Sequence, residues 1–392
     1  MLCIAIMSLC ITLFSCSSMS DKESHQSIPV IDWSIKPETE VLDLEDLADI
    51  KYIPLETNDS CLIKLATGLA FGNDSIAITD ITLQKVFIFD SSGECVGIID
   101  RRGEGPEEFP TMSTTAVDFN RKEVYVYSIM KNRIYTYDFK GGYIGKCTID
   151  RPGQYEAIYN YNDSLLIAHD KTNLSMALDM PNDELYRYIT INKKSGEVIP
   201  LPIRIEQPIG NTIRWHNSDH IDVVKIAGQP IMCDGNRFVI ADYSSDTIFE
   251  MNNGVRNILA CQTNVDKSRK IPDRVQVEAV LGNLVFLEYI RVSEVDKTGI
   301  KFDEEVGGSY VYNLETNELK SYTAKRPYLK QDSKTIHHLG IQSKPSTYCF
   351  PIYMDQLMDQ AENDNLRGPI LDILKSLNED SNPVLMIASF KN

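Results

Sequence analysis

From Val41 onward the hydrophobic positions fall in short runs rich in Val, Ile, Tyr and Phe, each broken by Asn, Asp or Gly. Runs of this kind between turn residues predict strands rather than helices. The pattern also repeats. "NDSIAITDITLQKVFIFDSSGECVG" (73–97) aligns without a gap on "RKEVYVYSIMKNRIYTYDFKGGYIG" (121–145), an offset of 121 − 73 = 48 residues. Ile76 then meets Val124, Val86 meets Ile134 and Phe89 meets Tyr137. Asp90 meets Asp138, Gly93 meets Gly141 and Gly97 meets Gly145. Each unit reads as strand, turn, strand, then a tight hairpin into another strand. Asp bonds its own backbone in such a hairpin, and Gly accepts a positive φ.

Weaker copies open at Asn162 ("NDSLLIAHD"), Gly235 ("GNRFVIADYSSDTIFEMNNG") and Gly282 ("GNLVFLEYI"), and "SNPVLMIASF" (381–390) supplies a sixth. Six four-stranded units of roughly 40–60 residues fill positions 41–392, which predicts an all-β fold, a six-bladed β-propeller closed in one ring. Ring closure should bring "KYIPLET" and "NPVLMIASF" into one blade, since an open edge strand leaves backbone groups unpaired. One segment departs from the strand pattern. In "MDQLMDQAENDNLRGPILDILKSLNED" (354–380) Leu357, Leu366, Ile370, Leu371, Ile373, Leu374 and Leu377 recur at helical spacing, broken at Gly368-Pro369. This predicts one or two helices inserted in the last blade, packed on the ring or offered to a partner.

The N-terminus reads differently again. "LCIAIMSLCITLF" is too short to span a membrane but suits the core of a signal peptide. It leads into Leu13-Phe14-Ser15-Cys16 and then polar "SSMSDKESHQS". This resembles the lipobox of bacterial lipoproteins, which implies cleavage after Ser15 and lipid on the Cys16 sulfur. No Lys or Arg precedes the run, a departure from that pattern. The expected organisation is a signal peptide over 1–15, a lipidated tether over 16–40 and the propeller over 41–392. The expected address is the bacterial outer membrane, on its periplasmic or surface face.

Charge narrows the partners. The 392 residues are 43% hydrophobic, ample for a large core, and carry a net charge of −17. That balance argues against nucleic acid, whose phosphates need excess Lys and Arg, and against a polybasic grip on lipid. Cys61, Cys95, Cys147, Cys233, Cys261 and Cys349 are scattered without a C-x-x-C pair, so zinc is not expected and no spacing demands a disulfide.

"YIPLET" (52–57), the hairpin unit ending "VFIFDSSGECVG", "RRGEGPEEF" and the late "NPVL" together resemble the six-bladed β-propeller lipoproteins of Bacteroidetes-type bacteria, which are related to NHL-repeat propellers. The resemblance is best in the first half and poor over 170–230. It implies a fold and an address rather than a reaction.

Candidate chemistry is sparse. "DRRGEGPEEFP" (100–110) has the glycines of a phosphate loop, but a strand follows where a helix N-terminus would be needed, so it reads as a loop between blades. "RWHNSDH" (214–220) reads first as an ordinary surface loop; the alternatives are Trp215 stacking its flat apolar face on a sugar, and His216, Asp219 and His220 as metal ligands, although one short loop rarely supplies a whole metal site. Asp80 and Asp242 hold equivalent repeat positions, as turn acids or as ligands at the channel mouth. Asp80, Arg102, Trp215, His216, Asp242 and Tyr243 are therefore the candidate ligand residues. No spacing singles out a catalytic set, a metal site or a cofactor. The favoured expectation is a binding or scaffold module for a saccharide, peptide or partner protein. The alternative is a propeller enzyme, a metal-dependent lactonase-like hydrolase or a polysaccharide lyase, which needs inward carboxylate, His or Asn side chains converging at the channel mouth.

Overall fold

The computed structural model describes residues 28–72, 74–172, 186–205, 208–216, 221–226, 228–252, 255–296, 299–303, 305–330, 341–342 and 344–391, with the side chains of 214–216, 221–225, 296, 299 and 341–342 outside that description. The expected signal peptide and Cys16 lie outside the described residues. Among the described residues no helix is long and apolar enough to cross a membrane.

The strands form the expected six-bladed β-propeller. From the inside outward, blade 1 is Gly68–Phe71, Ser75–Asp80, Lys85–Asp90 and Cys95–Ile99. Blade 2 is Thr114–Asp118, Glu123–Ser128, Arg133–Asp138 and Tyr143–Thr148. Blade 3 is Tyr155–Asn160, Leu165–Asp170, Tyr188–Asn192 and Val198–Pro200. Blade 4 is Ile231–Asp234, Arg237–Ala241, Thr247–Asn252 and Val255–Thr263. Blade 5 is Arg274–Leu281, Leu284–Ile290, Gly308–Asn313 and Glu318–Lys325. Blade 6 is Thr347–Ile352, Val384–Phe390 and, outermost, the N-terminal Ala48–Pro54.

Alternation explains the ring. In blade 1, Phe87 and Phe89 pack with Leu385 and Ile387 of blade 6. The intervening Val86 and Ile88 pack with Val124 and Val126 of blade 2. A strand with period two therefore feeds two cores, one on each face, and its neighbours do the same. Three further cores join blades 2 and 3, 3 and 4, and 4 and 5. The last, between blades 5 and 6, also takes in the helical insertion. That insertion is α2 (Met354–Glu362) and α3 (Ile370–Leu374), after a short α1 at Leu44–Leu47. Met354, Leu357, Leu366 and Ile370 are buried against Ile352, Val384 and Met386, so the insertion packs on the ring.

The repeat glycines have a physical cause. Gly93 and Gly141 sit at φ +94 and +81, and a Cβ there would lie 2.3 Å from the Pro54 carbonyl oxygen and 2.5 Å from that of Ile98. Each outer hairpin thus rests directly on the outer strand of the preceding blade. Asp90 and Asp138 close the two hairpins by accepting the amides of Ser92 and Glu94, and of Lys140 and Gly142.

The ring closes as the sequence predicts. Ala48–Pro54 pairs antiparallel with Val384–Phe390, from Ala48↔Phe390 to Pro54↔Val384. Asn382 locks the seam. Its side-chain amide donates to the carbonyls of Glu56 (2.6 Å) and Cys61 (2.7 Å), its side-chain oxygen accepts from the Ile63 amide (2.8 Å), and its backbone amide donates to Thr57 Oγ1 (2.8 Å). Part of the segment expected to be tether over 16–40 is strand. Val30–Asp32 adds a parallel fifth strand to blade 4 and Thr39–Asp43 another to blade 5, because both present backbone to an open outer edge.

Candidate functional site

The inner strands surround a channel that the chain itself crosses. Ile341–Gln342 pairs parallel with Gly68–Phe71 of blade 1 and lies against Ile231–Asp234 of blade 4, on the opposite side of the ring. Beside this crossing, blades 1 to 3 enclose a cavity of about 260 Å³, whose polar lining includes Thr67, Thr79, Thr115, Glu156 and Lys171. The Tyr353 hydroxyl, just before α2, accepts the Ala66 amide at 2.8 Å, so the helical insertion borders the same rim. Asn211, Gly228 and Gln229 form one wall and lead into a smaller chamber of about 30 Å³ between blades 3 and 4.

Glu156 stands where the two spaces meet. Its strand breaks register between Glu156 and Tyr159, and Ala157 sits at φ +48. A bulge of this kind re-aims a side chain, and a non-glycine residue in that region is strained. His169 lies directly opposite on the next strand. Its Nδ1 is 3.1 Å from Glu156 Oε1, and Lys171 Nζ donates to Oε2 at 2.7 Å. Burial opposes ionisation of Glu156, but the hydrogen bonds from His169 and Lys171 outweigh it and hold the carboxyl at about 2.

The chamber's far wall comes from blades 4 and 5. The Tyr188 hydroxyl donates to Asp242 Oδ2 at 2.9 Å, and the Ser244 amide donates to Oδ1 at 2.8 Å. The Tyr243 hydroxyl donates to Gln276 Oε1 at 2.7 Å. Burial, with Glu278 next, pushes the Tyr243 phenol up. Burial and then Asp242 do the same for Tyr188. Gly228 is needed for this packing, since a Cβ there would stand 2.2 Å from Gln276 Oε1.

The structure separates the six residues expected to bind. Asp242 and Tyr243 line the chamber. Asp80 is fully buried and committed to its own surroundings, accepting the amides of Lys64, Leu65 and Leu83 and the Thr82 hydroxyl. Arg102 is exposed on the loop between blades 1 and 2, with its backbone bridged to Phe109. That loop satisfies itself: Glu108 accepts the Gly105 amide at 2.9 Å, taking the place an anion would fill, and Phe109 is buried against Tyr135 and Tyr137. Trp215 and His216 lie on strand Thr212–His216, paired with Ile221–Lys225, rather than in a loop; their side chains, with Asp219 and His220, are outside the described residues. Glu156, His169 and Lys171 were not legible as site residues. The available signal was a histidine interrupting the apolar strand "LLIAHD". Among the described residues no three His, Cys, Asp or Glu side chains gather as metal ligands.

Comparison with known proteins places the fold. A Bacteroides fragilis chain described as a candidate exported protein superposes with a TM-score of 0.61 at 14% identity, covering 93% of this chain and 100% of that one. A member of the duf4221 family from Bacteroides vulgatus gives a TM-score of 0.49 at 11% identity, covering 88% and 97%. No curated protein matches the sequence. The profile of a family described as a domain of unknown function, DUF4934, matches residues 28–389.

Proposed function

The chain belongs to the DUF4934 family, and from that premise we propose that it is an exported, lipid-tethered binding module that takes a small polar ligand at the mouth of its channel. One observation carries the reading. The mouth holds a polar cavity of about 260 Å³ that continues into a smaller chamber, with charged, hydroxyl and amide side chains converging on both. Sites for small molecules are concave places of this kind, and this one lies just below the usual range of about 300–1,000 Å³. A saccharide unit or the end of a peptide suits that size and polarity. Thr67, Thr79 and Thr115 supply hydroxyls, Lys171 a cation and Asn211 an amide. The lipobox-like Leu13–Cys16 supports export and tethering, and the exported B. fragilis neighbour is in keeping with it.

Two experiments test this reading. The full chain in detergent is screened on glycan and peptide arrays, with Lys171→Ala and Glu156→Gln beside it. At least one class should bind, and both variants should weaken it about tenfold or more; no binding to either array would refute the reading. For the tether, Cys16→Ser should move the protein from the membrane to the soluble fraction, and retention in salt-washed membranes would contradict lipidation.

A second reading, a propeller hydrolase, is favoured by the Glu156–His169 hydrogen bond, an arrangement in which a carboxylate orients an imidazole base. Mass spectrometry of an array ligand after incubation separates the two, since a binding module returns it unchanged.

A further inference from the structure

His169 is only 3% exposed and lines the smaller chamber, yet its Nε2 has no hydrogen-bond partner. Its chemistry follows from Glu156. An ionised carboxylate can only accept hydrogen bonds, so the Nδ1 facing Glu156 Oε1 carries the ring hydrogen. In the neutral ring Nε2 is then a lone-pair acceptor. Left unmet in a buried place, such an acceptor is unfavourable and calls for a donor.

The other groups of the chamber point the same way. The Tyr188 and Tyr243 hydroxyls spend their hydrogens on Asp242 and Gln276. The Gln276 amide donates to Glu278 and Glu288. Asp242 receives the Tyr188 hydroxyl and the Ser244 amide, and a carboxylate has room for about four donors. The hydroxyls and the Gln276 amide thus turn their hydrogens away and leave acceptors facing the chamber, beside the side-chain amides of Asn211 and Gln229, which can either donate or accept. At about 30 Å³ it holds one small group, roughly the volume of a water molecule. An ammonium has three donors and no acceptor, which matches this lining better than a hydroxyl does.

We propose that the chamber between blades 3 and 4 is a recognition site for a primary ammonium group, held between His169 Nε2 and Asp242, while the rest of the ligand occupies the larger cavity. The inference rests on the mouth being a ligand site. An amino sugar and a peptide N-terminus both carry this group.

The test is calorimetric titration of the full chain in detergent with glucosamine, N-acetylglucosamine, trialanine and N-acetyl-trialanine. One amine should bind at least tenfold more tightly than its acetylated partner, and which amine does so identifies the source. Equal binding within both pairs, or preference for the acetylated forms, overturns the ammonium site but leaves the mouth a ligand site. No binding by any of the four overturns the inference, and the arrays then decide whether the mouth binds anything. His169→Asn keeps a donor towards Glu156 and removes the Nε2 acceptor; His169→Gln keeps an acceptor near that position. The Asn variant should lose at least tenfold in amine affinity and the Gln variant less, at matched melting temperatures. Nitrogen-15 NMR of the ligand-free protein should show the His169 hydrogen on Nδ1, and a hydrogen on Nε2 would overturn the assignment.

Discussion

Replacing Asn382 with Ala removes the side chain that locks the ring. It is only 2% exposed and makes three side-chain hydrogen bonds across the seam, to Glu56, Cys61 and Ile63. Truncation leaves two carbonyls and one amide without their partner. Each orphaned buried group costs about 1–3 kcal/mol, and partial entry of water into the space brings the sum towards the low end, about 3–5 kcal/mol. For a ring of about 360 residues, with an unfolding entropy near 2.1 cal/mol/K per residue, this lowers the melting temperature by roughly 4–7 °C. Urea denaturation followed by circular dichroism and by Trp fluorescence provides the assay. Trp33 packs on Tyr289 and Tyr310 of blade 5, away from the seam. Because the ring is one closed body, both signals should shift together. A loss below about 1 kcal/mol, or a separate minor transition with the Trp signal unmoved, would refute the argument that closure stabilises the whole ring.

Two repeat-equivalent glycines should respond differently. Gly97→Ala places a Cβ 1.9 Å from the Phe139 carbonyl oxygen, whereas at Gly145 nothing lies within 4 Å, so the first should destabilise by roughly 2–4 kcal/mol and the second by less than about 1 kcal/mol. Equal effects in thermal melts would show that the contact between neighbouring blades is not what selects Gly97. The depressed Glu156 carboxyl contributes stability that is fully present above the ordinary carboxyl pKa and is lost as pH falls from about 4.5 towards about 2. Glu156→Gln should therefore flatten the acid limb of the stability–pH curve, a shift on the order of 3 kcal/mol; an unchanged limb would contradict the pairing with His169 and Lys171. Burial pushes the Cys349 thiol up, and the side chain is wholly enclosed, so iodoacetamide should label it only after unfolding. Rapid labelling in the native protein would show that the blade 6 core opens.

The blades were legible because the apolar period of two and the Asp–Gly hairpin recur together. Blade 3 hid the second signal. Its outer hairpin runs from Asn192 to Gly196, with Asn in place of Asp and one residue more, yet Gly196 makes the same close approach, 2.0 Å from a Cβ to the Thr148 carbonyl oxygen. "YIPLET" and "NPVL" marked the seam because Glu56, Thr57 and Asn382 bond one another across it. The site was less legible. Repeat position put Asp80 and Asp242 on an equal footing. The backbone amides of Lys64 and Leu65 claim Asp80, while Asp242 faces Tyr188 across the chamber. Glu156 gains its place from a bulge at Ala157, and local sequence carries no mark of that backbone turn.

The central claim is that the channel mouth between blades 1 and 3 is the ligand site. Thr114 lines the larger cavity and is half-buried, so Thr114→Phe fills the cavity from the end of an inner strand. Calorimetric titration of the best array ligand into the native and Thr114→Phe proteins, at matched melting temperatures, is the direct measurement. Binding should fall by at least tenfold in the variant. Undiminished affinity in a folded Thr114→Phe protein would place the ligand elsewhere on the molecule.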